Sequence, residues 1–300
     1  MKFNKIAIGL VLVVMACSSN ERETPKGIKF TMVREGEGRM GQPGEYVNLN
    51  LIFKDENDSI WNDSRSLPFP MILQLREESQ NNPGFEEIVH MLNEGDSVTF
   101  QLTAKSLFED TWEQPIPEGM DPESKFTFYM GVAEVMSDLR IREMEQEYIE
   151  KLNAEQMVID GKKIDEYLAA SNIEAQKTES GLRYIITKEG TGDPVAVGNE
   201  VSIDYAGYLL DGTLFDTSIE AVAKKENSSS TGKAFGPLTL QAGSGQVIKG
   251  WEEAVLLMKK GTKMRVWIPS PLAYGPQARS AIIKPNSILV FDMEMIDIKR

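Results

Sequence analysis

The chain has 300 residues, enough for about two domains, and an ordinary globular composition with 41% hydrophobic and 26% charged residues. Its formal net charge of −14 argues against nucleic acid as a partner, because phosphate binding needs a basic surface. One histidine, His90, and one cysteine, Cys17, leave too few ligands or nucleophiles for a His/Cys metal site, a Ser-His-Asp triad or a disulfide framework. We therefore expect neither a metal nor a cofactor.

The N-terminus has the order of a secretory leader. A basic MKFNK segment precedes the apolar run IAIGLVLVVMA, which is too short to span a membrane as a stable helix. The stretch VMAC resembles the bacterial lipobox, which implies that residues 1–16 are removed and that Cys17 becomes a lipidated N-terminus. Its acyl chains would hold the protein on a membrane at ~0.8 kcal/mol per buried methylene. The alternative is an ordinary signal peptide with an incidental cysteine.

The segment after the lipobox carries no apolar pattern, so residues 17–26 are predicted to form a tether. Ser18 is not the aspartate that is associated with inner-membrane retention in enteric bacteria. By that analogy we expect a lipid-anchored protein of the bacterial cell envelope, on the outer membrane. The sequence leaves the membrane face open.

The rest of the chain contains two copies of one unit. Residues 27–64 align without a gap on residues 181–218, with seven of 38 positions identical. Residues 84–102 align on residues 250–268, with five of 19 identical. In this second block, apolar residues recur at i, i+3, i+4 and i+7 in both copies, which is the spacing of one helix face. They are Phe85, Ile88, Val89 and Leu92 in the first copy and Trp251, Ala254, Val255 and Met258 in the second.

Each copy is predicted to contain several strands and one short helix. In the second copy, EVSIDYAGYL and KMRVWIP alternate in polarity, LDGTLF carries an Asp-Gly turn signal, and SILVFDMEMIDI is rich in strand-forming residues. Strands do not alternate with helices, so a parallel doubly wound sheet is not indicated. The fold class is α+β, with an antiparallel sheet wrapped on one short helix in each domain. We place the domains at residues 27–137 and 181–300.

Residues 138–180 between the copies are predicted to be a helical linker. Ile141, Met144, Tyr148 and Leu152 recur at helical spacing, and KKIDEYLAAS begins a second helical stretch after an interruption at Gly161. The linker packs either on its neighbours or on a second chain. A sustained heptad seam, which a coiled coil requires, is not present. The oligomeric state stays open.

The second copy contains a group of aromatic residues at strand ends and in loops. Tyr205, Phe215, Trp251, Tyr274 and Phe291 could each be ordinary core residues, but glycine-rich loops surround them and Asp216 follows Phe215 directly. The stretches VSIDYAGYLLDGTLFDTS, GSGQVIKGWEEAV, PLAYG and AIIKPNSILVFDMEMI resemble, in order, the FKBP family of peptidyl-prolyl cis-trans isomerases. The resemblance covers nearly all of residues 181–300.

The resemblance implies a role for individual residues of a proline-binding pocket. Trp251 would form its floor, while Asp216 and Tyr274 would be polar contacts that act in catalysis. The backbone N–H of Ile248 would bind a substrate carbonyl. The walls and the overhanging loop would come from Tyr205, Phe215, Leu238, Val247, Ile248, Ile282, Ile283 and Phe291. Leu238 stands where the family usually has an aromatic residue, and residues 219–236 form a longer polar insertion than in compact members, which puts substrate preference and drug affinity in doubt.

The first copy keeps the apolar register and lacks these polar partners. Tyr205 corresponds to Leu51, Phe215 to Trp61, Asp216 to Asn62, Trp251 to Phe85 and Tyr274 to Phe108. We therefore predict a degenerate domain without isomerase activity. His90 is expected on a helix surface, since no second ligand accompanies it.

The sequence leads to two functional hypotheses. The first is a prolyl isomerase that assists the folding of envelope or exported proteins through its second domain. The second is a chaperone or assembly factor that binds unfolded or Pro-containing polypeptides without turnover. The resemblance also implies a macrolide ligand of the tacrolimus type.

Overall fold

A computed structural model of the chain describes residues 20–77, 84–226 and 235–299. The leader peptide and Cys17 lie outside the described residues, as do 78–83 in the first copy and 227–234 in the insertion. The chain divides into two compact units, with the boundary between Gln146 and Glu147. Among the described residues, no helix is both long enough and apolar enough to cross a bilayer.

The first unit is built on one antiparallel sheet of seven strands. They are β1 (Glu21–Glu23), β2 (Lys29–Arg34), β3 (Tyr46–Lys54), β4 (Ile60–Asp63), β5 (Met71–Gln74), β6 (Ser97–Thr103) and β7 (Lys125–Met136). The spatial order is β1-β2-β6-β7-β3-β4, and β5 pairs with β3. A 3-10 helix at Ser64–Ser66, the short helix α1 (Glu86–Val89) and a π-helix at Ser106–Thr111 complete the unit.

The core of the first unit lies between α1 and one face of the sheet. Strand β3 buries alternate residues, Val47, Leu49, Leu51 and Phe53, as period-2 patterning requires. Ile88 and Val89 of α1 are buried against this face as the helical spacing predicted. Each such side chain contributes ~1.5–3 kcal/mol by its removal from water.

Two predictions for the first unit need correction. Residues 21–23, assigned to the tether, form β1, because their backbone pairs with β2 from Glu21↔Thr31 to Glu23↔Lys29. His90 does not lie on a free helix surface. It is the half-buried residue that ends α1, and its Nε2 is shielded from solvent.

The second unit repeats the same sheet. Its strands are β8 (Gln176–Lys177), β9 (Arg183–Lys188), β10 (Thr191–Pro194), β11 (Glu200–Leu209), β12 (Leu214–Thr217), β13 (Leu238–Gln241), β14 (Lys259–Lys260), β15 (Lys263–Ile268) and β16 (Leu289–Lys299). The main sheet has the order β12-β11-β16-β15-β9-β8 with β13 on β11, which matches the first sheet strand for strand, and β10 pairs separately with β14. A serine bond also recurs: the N–H of Leu51 donates to Ser64 Oγ, and the N–H of Tyr205 donates to Ser218 Oγ. Two copies of one α+β fold are therefore confirmed.

Within the described residues after 176, three helical segments accompany the second sheet: α3 (Glu220–Lys225), α4 (Lys249–Leu256) and a 3-10 helix at Ser270–Leu272. The predicted helix face is confirmed, since Trp251, Ala254, Val255 and Met258 are all at most 3% exposed. Helix α3 occupies the start of the predicted polar insertion, residues 219–236. It carries an i,i+4 ion pair between Glu220 and Lys224.

The predicted linker contains one continuous helix, α2 (Asp138–Ala170), and not two stretches broken at Gly161. Gly161 stays helical, and a Cβ there would lie 3.2 Å from a guanidinium nitrogen of Arg183. The glycine therefore gives Arg183 room to approach the helix closely. Asn172 follows the end of the helix with φ 54°, the left-handed conformation that commonly ends helices.

The part of α2 from Glu147 onward belongs to the second unit. Ile164 and Leu168 pack on Trp267, Ile288 and Val290, which lie on the sheet face opposite α4. In the first unit the corresponding cross-strand pair is Gln101 and Thr127, where the second unit has Trp267 and Val290. Among the described residues, the apolar pair of the second sheet is covered by α2, whereas Gln101 of the first sheet is exposed.

Candidate active site

A cavity of about 350 Å³ opens beside α4 in the second unit. Nine of the eleven predicted pocket residues line it: Tyr205, Phe215, Asp216, Leu238, Val247, Ile248, Trp251, Tyr274 and Phe291. Gln246 and Arg279 also line it and were not predicted. The lining comes from four strands, one helix and two loops, so the tertiary fold assembles the site.

Trp251 forms the centre of an edge-to-face cluster. Its ring lies 5.1 Å from that of Tyr205 at 84° and 5.2 Å from that of Phe291 at 86°. Such arrangements contribute ~0.5–1.5 kcal/mol beyond the area that they bury. Gly250 permits the close approach of the helix start to β15, because a Cβ there would fall 2.4 Å from Ile268 Cγ2. The absence of a side chain at Gly250 thus lets the next residue, Trp251, pack closely against the sheet.

Gly207 makes room for the aromatic wall, and it was not singled out from the sequence. A Cβ at this position would lie 2.7 Å from Phe215 Cζ and 2.7 Å from Phe291 Cε1. The two rings meet edge to face with centroids 5.5 Å apart, directly over the glycine. A signal was present, because an isolated glycine inside a strand pattern marks a close approach.

The carboxylate of Asp216 is held in one orientation at the cavity. The hydroxyl of Tyr205 donates to its Oδ2 at 2.6 Å, and the N–H of Thr217 donates to its Oδ1 at 2.9 Å. Charge-assisted bonds of this kind are about twice as strong as neutral ones. The cavity therefore combines apolar walls with one fixed, polar edge.

A second carboxylate fixes the loop that carries three of the lining residues. Glu252 accepts the N–H groups of Gly243 at 2.6 Å and of Gly245 at 2.9 Å. Both glycines adopt positive φ, 76° and 73°, which other residues rarely do. The GSGQVI stretch is thus held by the glutamate that follows Trp251, and this role of Glu252 was missed in the sequence.

The loop at the rim differs from the prediction. Ile282 and Ile283 do not line the cavity: Ile283 is 6% exposed within the core, and Ile282 is 39% exposed. The Oγ of Ser280 accepts the N–H groups of both isoleucines and so fixes the turn that positions them. Arg279 takes the place at the rim, with its guanidinium carbon 5.5 Å from the centroid of the Tyr274 ring. Its charge lies over the aromatic face in a cation–π contact.

The equivalent place in the first unit is filled by aromatic rings. Phe53 stands where the second copy has Gly207, and its ring stacks on Phe128 at 4.9 Å and reaches Trp112 at 5.8 Å. Phe108 packs against Trp112 at 5.1 Å and against Trp61 at 6.2 Å. The Phe53 side chain therefore lies where a glycine in the second copy makes room for the rings of Phe215 and Phe291.

Within the described ranges, no three His, Cys, Asp or Glu side chains group closely enough to hold a metal ion. On the sheet face opposite α4, the guanidinium of Arg265 donates two bonds to Asp292, both of 2.6 Å. Asp292 raises the pKa of Arg265, and burial raises the pKa of Tyr208 beside them. Neither residue lines the cavity.

The fold and the cavity define a small α+β binding domain with an aromatic-floored slot and one oriented carboxylate. The sequence model described as FKBP-type peptidyl-prolyl cis-trans isomerase matches residues 192–296. The chain belongs to this family, as its similarity to the following relatives also shows.

Three relatives illustrate the similarity. The FKBP-type peptidyl-prolyl cis-trans isomerase FkpA of Aeromonas hydrophila is 36% identical over 57% of this chain, which spans 61% of that protein. Outer membrane protein MIP of Legionella longbeachae is 32% identical over 57% of this chain and 70% of its own length. FK506-binding protein 1 of Dictyostelium discoideum is 37% identical over 40% of this chain and 99% of its own length. The crystal structure of the three FKBP domains of wheat FKBP73 aligns with 91% of this chain over 95% of its own length, at a TM-score of 0.35 and 17% identity.

Proposed function

We propose that the second unit is a peptidyl-prolyl cis-trans isomerase that acts on Pro-containing segments of unfolded polypeptides. The observation that carries the proposal is the cavity itself, where apolar rings surround a slot and the Tyr205–Asp216 pair fixes its polar edge. Membership of the isomerase family supports the same assignment.

Rotation about the X–Pro amide requires a desolvated pocket of complementary shape and needs neither a nucleophile nor a base. A planar X–Pro amide is resonance-stabilised and polar, and the twisted transition state loses resonance and polarity. A dry aromatic slot therefore favours the twisted form over the planar one. A barrier of ~20 kcal/mol gives a rate on the order of 10⁻² per second, and a turnover of ~10 per second requires only about 4 kcal/mol of stabilisation.

Individual residues take definite parts in this mechanism. Trp251 supplies the floor on which the proline ring lies, and Phe215 and Phe291 exclude water from the amide. Tyr274 donates from its hydroxyl to a substrate carbonyl, and the N–H of Ile248 binds a second carbonyl. The carboxylate of Asp216, oriented by Tyr205, faces the twisting amide at the polar edge.

A protease-coupled assay on a Pro-containing peptide tests the proposal. The mature chain should accelerate isomerisation, and Trp251→Leu should remove most of the acceleration because the floor is lost. Phe85→Leu, at the same helix position in the first unit, is the matched control and should retain the full rate. Equal rates with and without the wild-type protein would refute the proposal.

We further propose that the protein acts in the bacterial cell envelope, anchored by a lipid on Cys17, with the outer membrane as its location. The name of the Legionella relative, an outer membrane protein, supports an envelope site. Cells fed an alkyne-tagged fatty acid should label the wild-type protein and leave Cys17→Ser unlabelled. Label on the serine variant would contradict the anchor.

A macrolide of the tacrolimus type is the small-molecule ligand that the slot would accept. The name of the Dictyostelium relative supports this class. Leu238, which is 37% exposed at the cavity wall, offers a ligand less contact area than an aromatic ring would. We therefore expect the wild-type protein to bind tacrolimus more weakly than the Leu238→Phe variant does. Calorimetric titration of both proteins with tacrolimus measures the difference, and equal affinities would contradict a role for this wall.

A second function, binding of unfolded chains by the first unit, is favoured by one surface. Trp61 and Trp112 are 44% and 38% exposed where the second unit has its cavity. Exposed carboxylates on the neighbouring π-helix segment, Glu109 and Asp110, make the surroundings acidic. Asp55 accepts from Trp61 Nε1 at 3.1 Å, and this bond lowers the pKa of Asp55. The surface suits segments that combine apolar and cationic residues.

Suppression of aggregation of a denatured client tests this second function. Trp61→Ala and Trp112→Ala should each weaken the suppression, and added salt should weaken it further. Tyr129→Ala is the matched control, because Tyr129 is 46% exposed on the other sheet face and should not matter. Equal loss in all three variants would refute a specific surface.

A further inference from the structure

Asp160 is a fully buried carboxylate on α2, far from the cavity in sequence. It is 0% exposed, and its Oδ1 accepts from Gln156 Nε2 at 2.7 Å. Its Oδ2 accepts two bonds from one residue, the N–H of Ser270 at 2.7 Å and the Oγ–H of Ser270 at 2.6 Å. Ser270 is also 0% exposed, so water does not compete for these bonds.

Ser270 begins the turn that leads to Tyr274. The 3-10 helix runs from Ser270 to Leu272, and the carbonyl of Ser270 accepts the N–H groups of Ala273 at 2.9 Å and Gly275 at 2.8 Å. These two bonds bracket Tyr274, which lines the cavity. The backbone on both sides of Tyr274 is therefore hydrogen-bonded to Ser270. Asp160 in turn holds Ser270 in place.

A buried carboxylate is costly unless donors satisfy it, and apolar replacements often stabilise a fold as well or better. Attachment of α2 to the sheet does not require Asp160, because Ile164 and Leu168 already pack on Trp267. Arg183 adds a second polar attachment through two bonds to Asp165, at 2.9 and 2.7 Å. What Asp160 alone contributes is a pair of short bonds to the turn that carries Tyr274.

We propose that Asp160 is a positioning residue for Tyr274, so that the last turns of α2 form part of the isomerase site. The proposal rests on the function proposed for the second unit. According to this proposal, the position of the Tyr274 hydroxyl depends on a residue of α2, a helix that precedes the region matched by the family model, residues 192–296.

A double-mutant cycle on the mature chain tests the proposal. Asp160→Ala should lower kcat/KM about tenfold, because small displacements of a positioned group are costly. Asp160→Asn should recover most of the activity, since its remaining oxygen can accept both bonds from Ser270. In a Tyr274→Phe background, Asp160→Ala should cost less than about twofold, because the hydroxyl that it positions is gone. A full tenfold loss in that background, or no loss in the wild type, would overturn the proposal.

Asp165→Ala is the matched control, because it removes the two bonds between Asp165 and Arg183 without touching Ser270. It should lower Tm and leave kcat/KM within about twofold. If Asp160→Ala does not fold, Ser270→Ala removes only the Oγ bond and should give a smaller loss that follows the same cycle. In NMR spectra of protein with ¹³C-labelled tyrosine, Asp160→Ala should shift the Tyr274 ring signals and Asp165→Ala should not. This readout does not require activity, so an inactive wild type would refute the proposed function while unmoved Tyr274 signals would refute the positioning role.

Discussion

Gly207→Ala is the smallest change that should damage the site. The new Cβ would lie 2.7 Å from both Phe215 Cζ and Phe291 Cε1, whereas carbon atoms prefer about 3.5–4.0 Å. The rings must therefore retreat by about 1 Å. Phe291 also packs on Trp251 at 5.2 Å, so the displacement is passed to the floor of the slot. Overpacking of this kind costs about 1–3 kcal/mol.

The expected result is a loss of both stability and activity. Urea denaturation should show a free energy of unfolding lower by about 1–2 kcal/mol, since the gain from replacing a strand glycine offsets part of the overpacking cost. The peptide assay should show kcat/KM lower by about tenfold or more. Gly131→Ala in β7 is the matched control, because its Cβ would meet nothing closer than 3.4 Å. If the two alanine variants behave alike, the steric account of Gly207 is refuted.

Three further changes probe the surroundings of the slot. Glu252→Gln leaves one of the N–H groups of Gly243 and Gly245 facing an amide N–H₂. Amide hydrogen exchange at both glycines should therefore speed up, and KM should rise more than kcat falls. Unchanged exchange would contradict the role of this carboxylate. Trp267→Gln should lower the free energy of unfolding by about 3–5 kcal/mol in urea, because α2 loses its apolar partner, and a change below 1 kcal/mol would contradict that packing. Burial raises the folded pKa of Tyr208 above 10.0, so stability should fall as the pH rises above about 10, and Tyr208→Phe should weaken that fall in unfolding measured against pH.

The periodicity of apolar residues predicted those features of the fold that are set within a single helix or strand. The spacing of Trp251, Ala254, Val255 and Met258 indicated a buried helix face before any contact was known. Successive strand residues point to opposite faces, so Val266 faces α4 while Trp267 lies on the other face and is covered there. The sequence did not indicate that the covering element is α2, because that depends on a tertiary contact.

The missed features share this dependence on contacts distant in the chain. Gly161 reads as a helix break by propensity, yet the attachment of Arg183 to Asp165 stabilises the helix through it. The rim was assigned to Ile282 and Ile283 by family resemblance, whereas Arg279 lines the cavity. Rim loops have no periodicity that could show which of their side chains faces inward.

The two units show what separates a shared fold from a site. Strand order, the serine bond and the helix face recur in both, and these hold the sheet and helix together. The differences lie at the cavity, where Phe53 replaces Gly207 and Asn62 replaces Asp216. Function is therefore assigned to the positions that differ between the copies.

Paired substitutions at one aligned position test the central claim most directly. Asp216→Val in the second unit and Asn62→Val in the first make the same new residue at equivalent places in the same mature chain. We expect kcat/KM for a Pro-containing peptide to fall at least about tenfold in Asp216→Val and to change by less than about twofold in Asn62→Val. Equal rates in the two variants, or a larger loss in Asn62→Val, would contradict the assignment of catalysis to the second unit.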